Sequence, residues 1–319
     1  MENSWYDAFM IELYKKFPKR TQLSQALMDL LIIEREAVYR RLRKEVLFPV
    51  NEIVKIAIAW NISLDELINI NSRQISFQMQ AINYLNPSTE ELQYLRNIIQ
   101  SIETLKHHPS TEFMDICNKL PRQLLAGYKL LNQFYLFKWV YQYGHEKEMV
   151  PFSKIQVSEE KQKLDDDYYK VIKYIPNSNF IWDSKIFEYL VNNINYFCSI
   201  HMITGQEKDQ IKEELFALLT YVLEIANYGC YPETQNKVNL YISQLSIDTN
   251  YSYTFSPEAN ICFIHVFEKF EIYTFNLEMV MNFRKWMQLK KRSSVQISEV
   301  DEKSRMEFFT KQKRLIESL

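Results

Sequence analysis

Glycine is scarce, with four in 319 residues against roughly 22 at an average usage of about 7%. Backbone that wraps a phosphate or turns a nucleophile outward needs residues without a Cβ. No stretch reads GxGxxG, GxxxxGKS/T or GxSxG, so the common nucleotide-dependent enzymes and nucleophile-elbow hydrolases are excluded and the chain is expected not to be an enzyme. Cysteine is sparse too. Cys117, Cys198, Cys230 and Cys262 stand far apart with no CxxC, which argues against disulfides and structural zinc and suits a cytoplasmic protein. No run of 18 apolar residues occurs, and Met1 is followed by Glu2 and Asp7 rather than by a basic start and an apolar core, so neither a membrane partner nor a leader is expected. The net charge of −2 provides no global field of either sign.

What is abundant is core material: 47% of residues are hydrophobic and 14% aromatic, enough to rule out a disordered chain. The length suggests two domains at about 150 residues each. The expected fold is mainly α, with a five-helix N-terminal domain over residues 1–72 and a larger, mostly helical α+β region over 75–319. In the first domain, helical patterns run over Trp5–Phe17, Gln22–Leu31, Glu34–Lys44, Val50–Trp60 and Leu64–Ile70, and the polar stretch Asn69–Gln74 reads as a linker. Residues 75–231 read as helical. Ser88 and Glu91 form a capping box ahead of Leu92–Lys106, Pro121 opens a segment to Tyr143, Ser184–Ile203 follows, and Gln206–Tyr228 ends on Gly229 as a C-cap. From residue 238 the period changes to short β-branched and aromatic runs broken at Asp248-Thr249-Asn250, Ser256-Pro257-Glu258 and Glu268-Lys269. These predict a small antiparallel sheet of three or four strands, closed by helices over Leu277–Lys291 and Val300–Leu319.

Residues 21–67 are the most specific part: TQLSQALMDLLIIEREAVYRRLRKEVLFPVNEIVKIAIAWNISLDEL. Leu27, Leu31, Ile33 and Val38 are spaced to pack two short helices across a tight turn. In the second of these, Val38, Leu42 and Val46 repeat every four residues and are expected to point inward, whereas Glu36, Tyr39, Arg40 and Arg43 share the opposite face. Arginine there can pair with guanine or grip phosphate, and tyrosine can meet a phosphate or a thymine methyl. Between Leu13 and Lys55 ten basic residues face five acidic ones, a net of +5 that leaves −7 for the remainder. A cationic module on an anionic protein is what phosphate contacts require.

This stretch resembles the helix-turn-helix domain of lambda-repressor-like (XRE-type) transcription regulators over roughly residues 7–70. EIVKIAIAWNISLDEL matches the family's fourth helix and the start of its fifth. Met28 and Ile32 depart from the pattern, which has a small residue at the first position and commonly glycine at the second. The resemblance implies that Gln22 opens the second helix beside a phosphate and that the helix from Glu34 reads bases. Gln22, Arg35, Glu36, Tyr39, Arg40, Arg43 and Lys44 are then the candidate contacts of a sequence-specific regulator of transcription bound to double-stranded DNA. One module reads one half-site, so residues 75–319 are expected to join two chains, with Phe308, Leu315 and Ile316 of the last helix as candidates, or to sense a small-molecule or protein effector. The alternative is an interaction or scaffold protein whose first domain does not bind DNA.

Other constellations carry less. Histidines 107, 108, 145, 201 and 265 show no HxxxH or HExxH spacing, and no metal or cofactor is expected. Asp165-Asp166-Asp167 lacks the ligand alternation of a calcium loop and reads as a solvated acidic loop. Phe134–Tyr141 is apolar nearly all round, as a buried helix is. Arg284, Lys285, Lys290, Lys291 and Arg292 surround Trp286 and suit either an auxiliary nucleic-acid patch or cations favoured by a helix end.

Overall fold

A computed structural model describes residues 4–60, 62–68, 77–80, 87–144, 149–266 and 270–319. The expected linker, His145 and the turn at Glu268-Lys269 lie outside the described residues. The chain divides into two compact units, Met1–Ser76 and Phe77–Leu319. Mainly helical, it carries one mixed sheet. Among the described residues no helix is long and apolar enough to cross a membrane.

The N-terminal unit consists of α1 (Ser4–Lys16), α2 (Arg20–Leu31), α3 (Arg35–Leu42), α4 (Val50–Trp60) and α5 (Leu64–Ile68). Phe9 and Leu13 of α1, Leu23 and Leu27 of α2, Val38 of α3 and Ile56 of α4 are fully buried in one cluster. Each such side chain contributes roughly 1.5–3 kcal/mol. Tyr6 fixes the segment after α3, because its hydroxyl accepts the Phe48 N–H at 3.0 Å. The expectation that Val46 points inward with Val38 and Leu42 is overturned. The helix ends at Leu42, Lys44 turns left-handed at φ 60°, and Val46 is exposed.

The C-terminal unit corrects the expected small antiparallel sheet. Eight strands form one sheet in the order β1-β7-β6-β5-β2-β3-β4-β8, and two of its central members fall inside the region expected to be helical. In chain order the elements are β1 (Gln78–Gln80), α6 (Thr89–Leu105), β2 (Glu112–Cys117), α7 (Arg122–Leu125), α8 (Lys129–Tyr143), α9 (Glu159–Val171), β3 (Asn177–Asp183), α10 (Ile186–Ser199) and α11 (Gly205–Tyr228). There follow β4 (Lys237–Ser243), β5 (Asn250–Phe255), β6 (Asn260–Val266), β7 (Phe270–Thr274), α12 (Leu277–Lys290), β8 (Ser294–Gln296) and α13 (Glu302–Glu317). β2, β3 and β4 run parallel, and β5, β6, β7 and β1 continue antiparallel from β2. Strands covered on both faces lose the alternation that marks a half-exposed one, so EFMDIC and NSNFIWD carry no strand signal of period two.

One face of the sheet (Phe113, Cys117, Phe180, Trp182, Leu240, Ile242) packs with α8, α10, α11 and α13 in the main core. The other (Met114, Ile116, Ile181, Tyr253, Cys262) meets Val280, Phe283 and Met287 of α12. The capping box of α6 and the left-handed Gly229 (φ 65°) are present as expected, and α11 carries a second capping box, at Thr204 and Glu207, beyond the expected one. A Cβ at Gly229 would strike the Glu299 side chain. The segment from Pro121 splits into α7 and α8 at Gly127, where the Tyr169 ring leaves no room for a Cβ. Phe308 and Ile316 are buried in the unit's own core, which corrects their assignment to a contact between chains, and Leu315 is half-buried.

The expected acidic loop is also overturned, because Asp165 lies within α9 and is fully buried. Its carboxylate accepts from Lys161 Nζ at 2.5 Å, Arg122 Nη2 at 2.8 Å and Asn132 Nδ2 at 2.9 Å. Burial raises the carboxyl's pKa, but the Arg122 and Lys161 charges outweigh it and hold Asp165 down to about 2. Asp165→Asn leaves Lys161 buried without its counter-charge and is expected to cost about 3–5 kcal/mol of stability at pH 7. A carboxyl held below its unfolded value stabilises above that value and loses the contribution as pH falls through the folded one. The gap between wild type and variant should therefore shrink between pH 4 and 2, as urea melts at each pH would show.

Candidate nucleic-acid interface

The joint between α2 and α3 is a three-residue turn set by one backbone choice. Ile32 adopts the left-handed conformation (φ 56°, ψ 51°) and its N–H reaches back to the Met28 carbonyl at 2.9 Å, closing α2. A β-branched residue pays roughly 1–2 kcal/mol there, and Ile32 recovers almost none of it by packing because it is 90% exposed. Glu34, extended at φ −68° and ψ 154°, then starts α3. Leu27 and Leu31 of α2 and Val38 and Leu42 of α3 seal the joint from within.

The outer side carries the candidate contacts. Gln22, Arg35, Glu36, Arg40, Arg43 and Lys44 are exposed and Tyr39 is half-buried. Arg35, the first residue of α3, donates from Nη2 to the Tyr39 hydroxyl at 3.2 Å and lies 5.4 Å above its ring. That hydrogen bond, followed by one with Ser24 of α2, holds the Tyr39 phenol below its ordinary range, and Arg20 adds a smaller pull. Among the described residues Arg35 has no carboxylate partner, and neither do Lys19 and Arg20 at the start of α2. No side chain caps α2, so its first N–H groups remain available to an anion. Lys19 and Arg20 were absent from the candidate contacts. Their signal was their place in the first turn beside Gln22.

The other cations are partly neutralised. Arg43 donates to Glu45 at 2.6 Å and Glu36 at 3.1 Å, Arg40 lies 3.8 Å from Glu45, and Lys44 pairs with Asp7 of α1. Arg41 differs from them. Its half-buried guanidinium donates two hydrogen bonds to the Glu52 carboxylate of α4, from Nε at 2.6 Å and Nη2 at 2.8 Å, donates to the Ala37 carbonyl at 3.2 Å and lies 5.9 Å from the Phe48 ring. It ties α3 to α4 and is not available to a ligand.

The structure also aligns Ser252, His265 and Glu271 across β5, β6 and β7. Ser252 Oγ is 3.3 Å from His265 Nε2, and His265 Nδ1 is 3.5 Å from Glu271 Oε1. Ser252 is buried in a regular antiparallel ladder opposite Asp115, whose carboxylate accepts from Gln123 at 2.7 Å and is pushed up in pKa by burial. A nucleophile needs an exposed Oγ flanked by uncommitted N–H donors. The row therefore reads as cross-strand polar pairing.

No protein-family model, curated protein or solved structure matches the chain. The geometry of the α2–α3 joint makes two checks available. Ile32→Gly relieves the left-handed strain and is expected to raise stability by about 0.5–1 kcal/mol after glycine's entropic cost, whereas Ile32→Val gains nothing in the same thermal melts. Arg41→Ala is expected to cost about 1–3 kcal/mol because Glu52 is left half-buried and alone, whereas Arg40→Ala stays within about 0.5 kcal/mol.

Proposed function

We propose that the N-terminal unit is a helix-turn-helix of the lambda-repressor-like (XRE) class and that the protein regulates transcription by binding specific sequences of double-stranded DNA, its C-terminal unit sensing an effector or joining chains. The observation that carries this reading is Arg35: an exposed guanidinium without a carboxylate partner among the described residues, steadied by Tyr39 at the leading end of α3. Leading residues of a recognition helix are the ones that reach base edges, and a steadied arginine loses less freedom when it pairs with guanine O6 and N7. Arg40 and Arg43 hold exposed ion pairs worth about 0–1 kcal/mol, which phosphate oxygens can replace. Lys19, Arg20 and the uncapped start of α2 supply a second phosphate contact.

A different observation favours the scaffold alternative. Val50, Val54 and Ile58 lie at spacings of four on α4 and are 74%, 38% and 77% exposed, an apolar stripe that suits a protein partner.

Selection of bound fragments from random duplexes separates the two readings. The DNA reading expects one enriched motif containing guanine. Arg35→Ala should then weaken that site by about 1–3 kcal/mol and relax its guanine preference while leaving the melting temperature unchanged. Failure to enrich any motif, or a folded Arg35→Ala/Arg40→Ala/Arg43→Ala chain with undiminished preference, would overturn it.

A further inference from the structure

Positive charge in the C-terminal unit gathers on one surface without matching acids. Residues 279–298 contain five basic side chains and no acidic one, within a chain whose net charge is −2. Two of the five turn inward. Arg284 donates to Glu112 at 2.9 Å, and Lys291 donates to the buried Asn179 at 2.8 Å and stands 5.1 Å over the Tyr241 ring. Lys285 and Arg292 are exposed and Lys290 is half-buried. None of these three has a carboxylate partner among the described residues. Between them Trp286 is 39% exposed, with the Lys290 ammonium 5.2 Å from its ring.

A helix dipole accounts for cations in the last turn of α12, because its effect fades within one turn. It accounts for Lys290 and leaves Lys285, which lies before that turn, unexplained. Exposed cations without carboxylate partners are matched by a polyanion, which releases their mobile counter-ions.

We propose that this surface, Lys285, Lys290 and Arg292 beside Trp286, is a second nucleic-acid contact that takes backbone phosphates of duplex DNA. The proposal rests on the DNA-binding reading of the N-terminal unit, which makes duplex DNA the polyanion already at hand. The surface offers cations and the edge of one aromatic ring. It holds the phosphate backbone without reading sequence, so it adds affinity and salt dependence and leaves the motif unchanged.

The test measures binding of the full chain to a random-sequence duplex of about 40 base pairs, four helical turns, over a series of salt concentrations. Lys285→Gln/Lys290→Gln/Arg292→Gln should bind about tenfold more weakly or worse at low salt, and its slope of log affinity against log salt should be shallower by about 2 to 3, near 0.9 per lost phosphate contact. Lys303→Gln/Lys311→Gln/Lys313→Gln makes the same change of charge on α13 and should keep the wild-type slope. Lys285→Gln/Arg292→Gln, both at exposed positions, serves if the triple variant melts early, with a loss of slope of about 2. Wild-type binding with equal slopes in both patch variants, or equal losses in the patch and α13 variants, overturns the second contact and leaves the N-terminal reading intact. A wild-type chain that binds no duplex overturns both. Binding of the patch to anionic vesicles or to an acidic peptide, with duplex binding unaffected by its loss, assigns the surface to another partner and overturns the proposal.

Discussion

Phe180 and Trp182 of β3 point into one layer of the C-terminal unit and Ile181 into the other, so the strand is stable only where apolar cover exists on both sides. Its backbone groups are satisfied by β2 and β4, both parallel to it, and parallel neighbours require long crossovers. The crossovers supply α7 to α11, which cover one face; α12, reached only after the antiparallel strands, covers the other. The order of elements in this unit follows from keeping water off β2 and β3. The Asp165 cluster belongs to the same requirement. It joins α7, α8 and α9, the helices of the first crossover, through a fully buried carboxylate and three donors, whose geometry is more directional than apolar packing alone.

The N-terminal unit, by contrast, leaves much of its charge on the surface. Arg35, Arg40, Arg41 and Arg43 stand within nine residues of one another and look equivalent in sequence. They have four environments: a tyrosine ring, a loose contact with Glu45, a half-buried pair with Glu52, and a pair of exposed carboxylates. Guanidinium groups that already have partners must exchange them on binding an anion, which lowers the net gain from each contact. The groups without carboxylate partners among the described residues, Arg35 and Arg20 in this unit and Lys285 and Arg292 in the other, have no such pair to give up.

Scarcity of glycine has a structural consequence as well as a functional one. Ile32, Lys44, His201, Gln235 and Glu299 all adopt positive φ, at turns where other proteins commonly place glycine. Gly229 is the glycine with positive φ among the described residues. Ile32 is the costliest of the set, being β-branched and solvent-exposed, and it sits at the joint that orients α3.

Local signals determined the helices of the N-terminal unit, the capping box at Ser88 and the stop at Gly229, because each depends on residues within one or two turns of its neighbours. The outward face of α3 was legible for the same reason, its period being a property of eight consecutive residues. The parallel centre of the sheet was not, since strands buried on both sides have no alternation and their partners lie 60 or 65 residues away. Nor could sequence separate Arg41 from Arg40, or Asp165 from Asp166. Which cation or carboxylate is withdrawn from water depends on where Glu52, Arg122 and Lys161 arrive in space, and the energy of a charge is set by its surroundings in three dimensions.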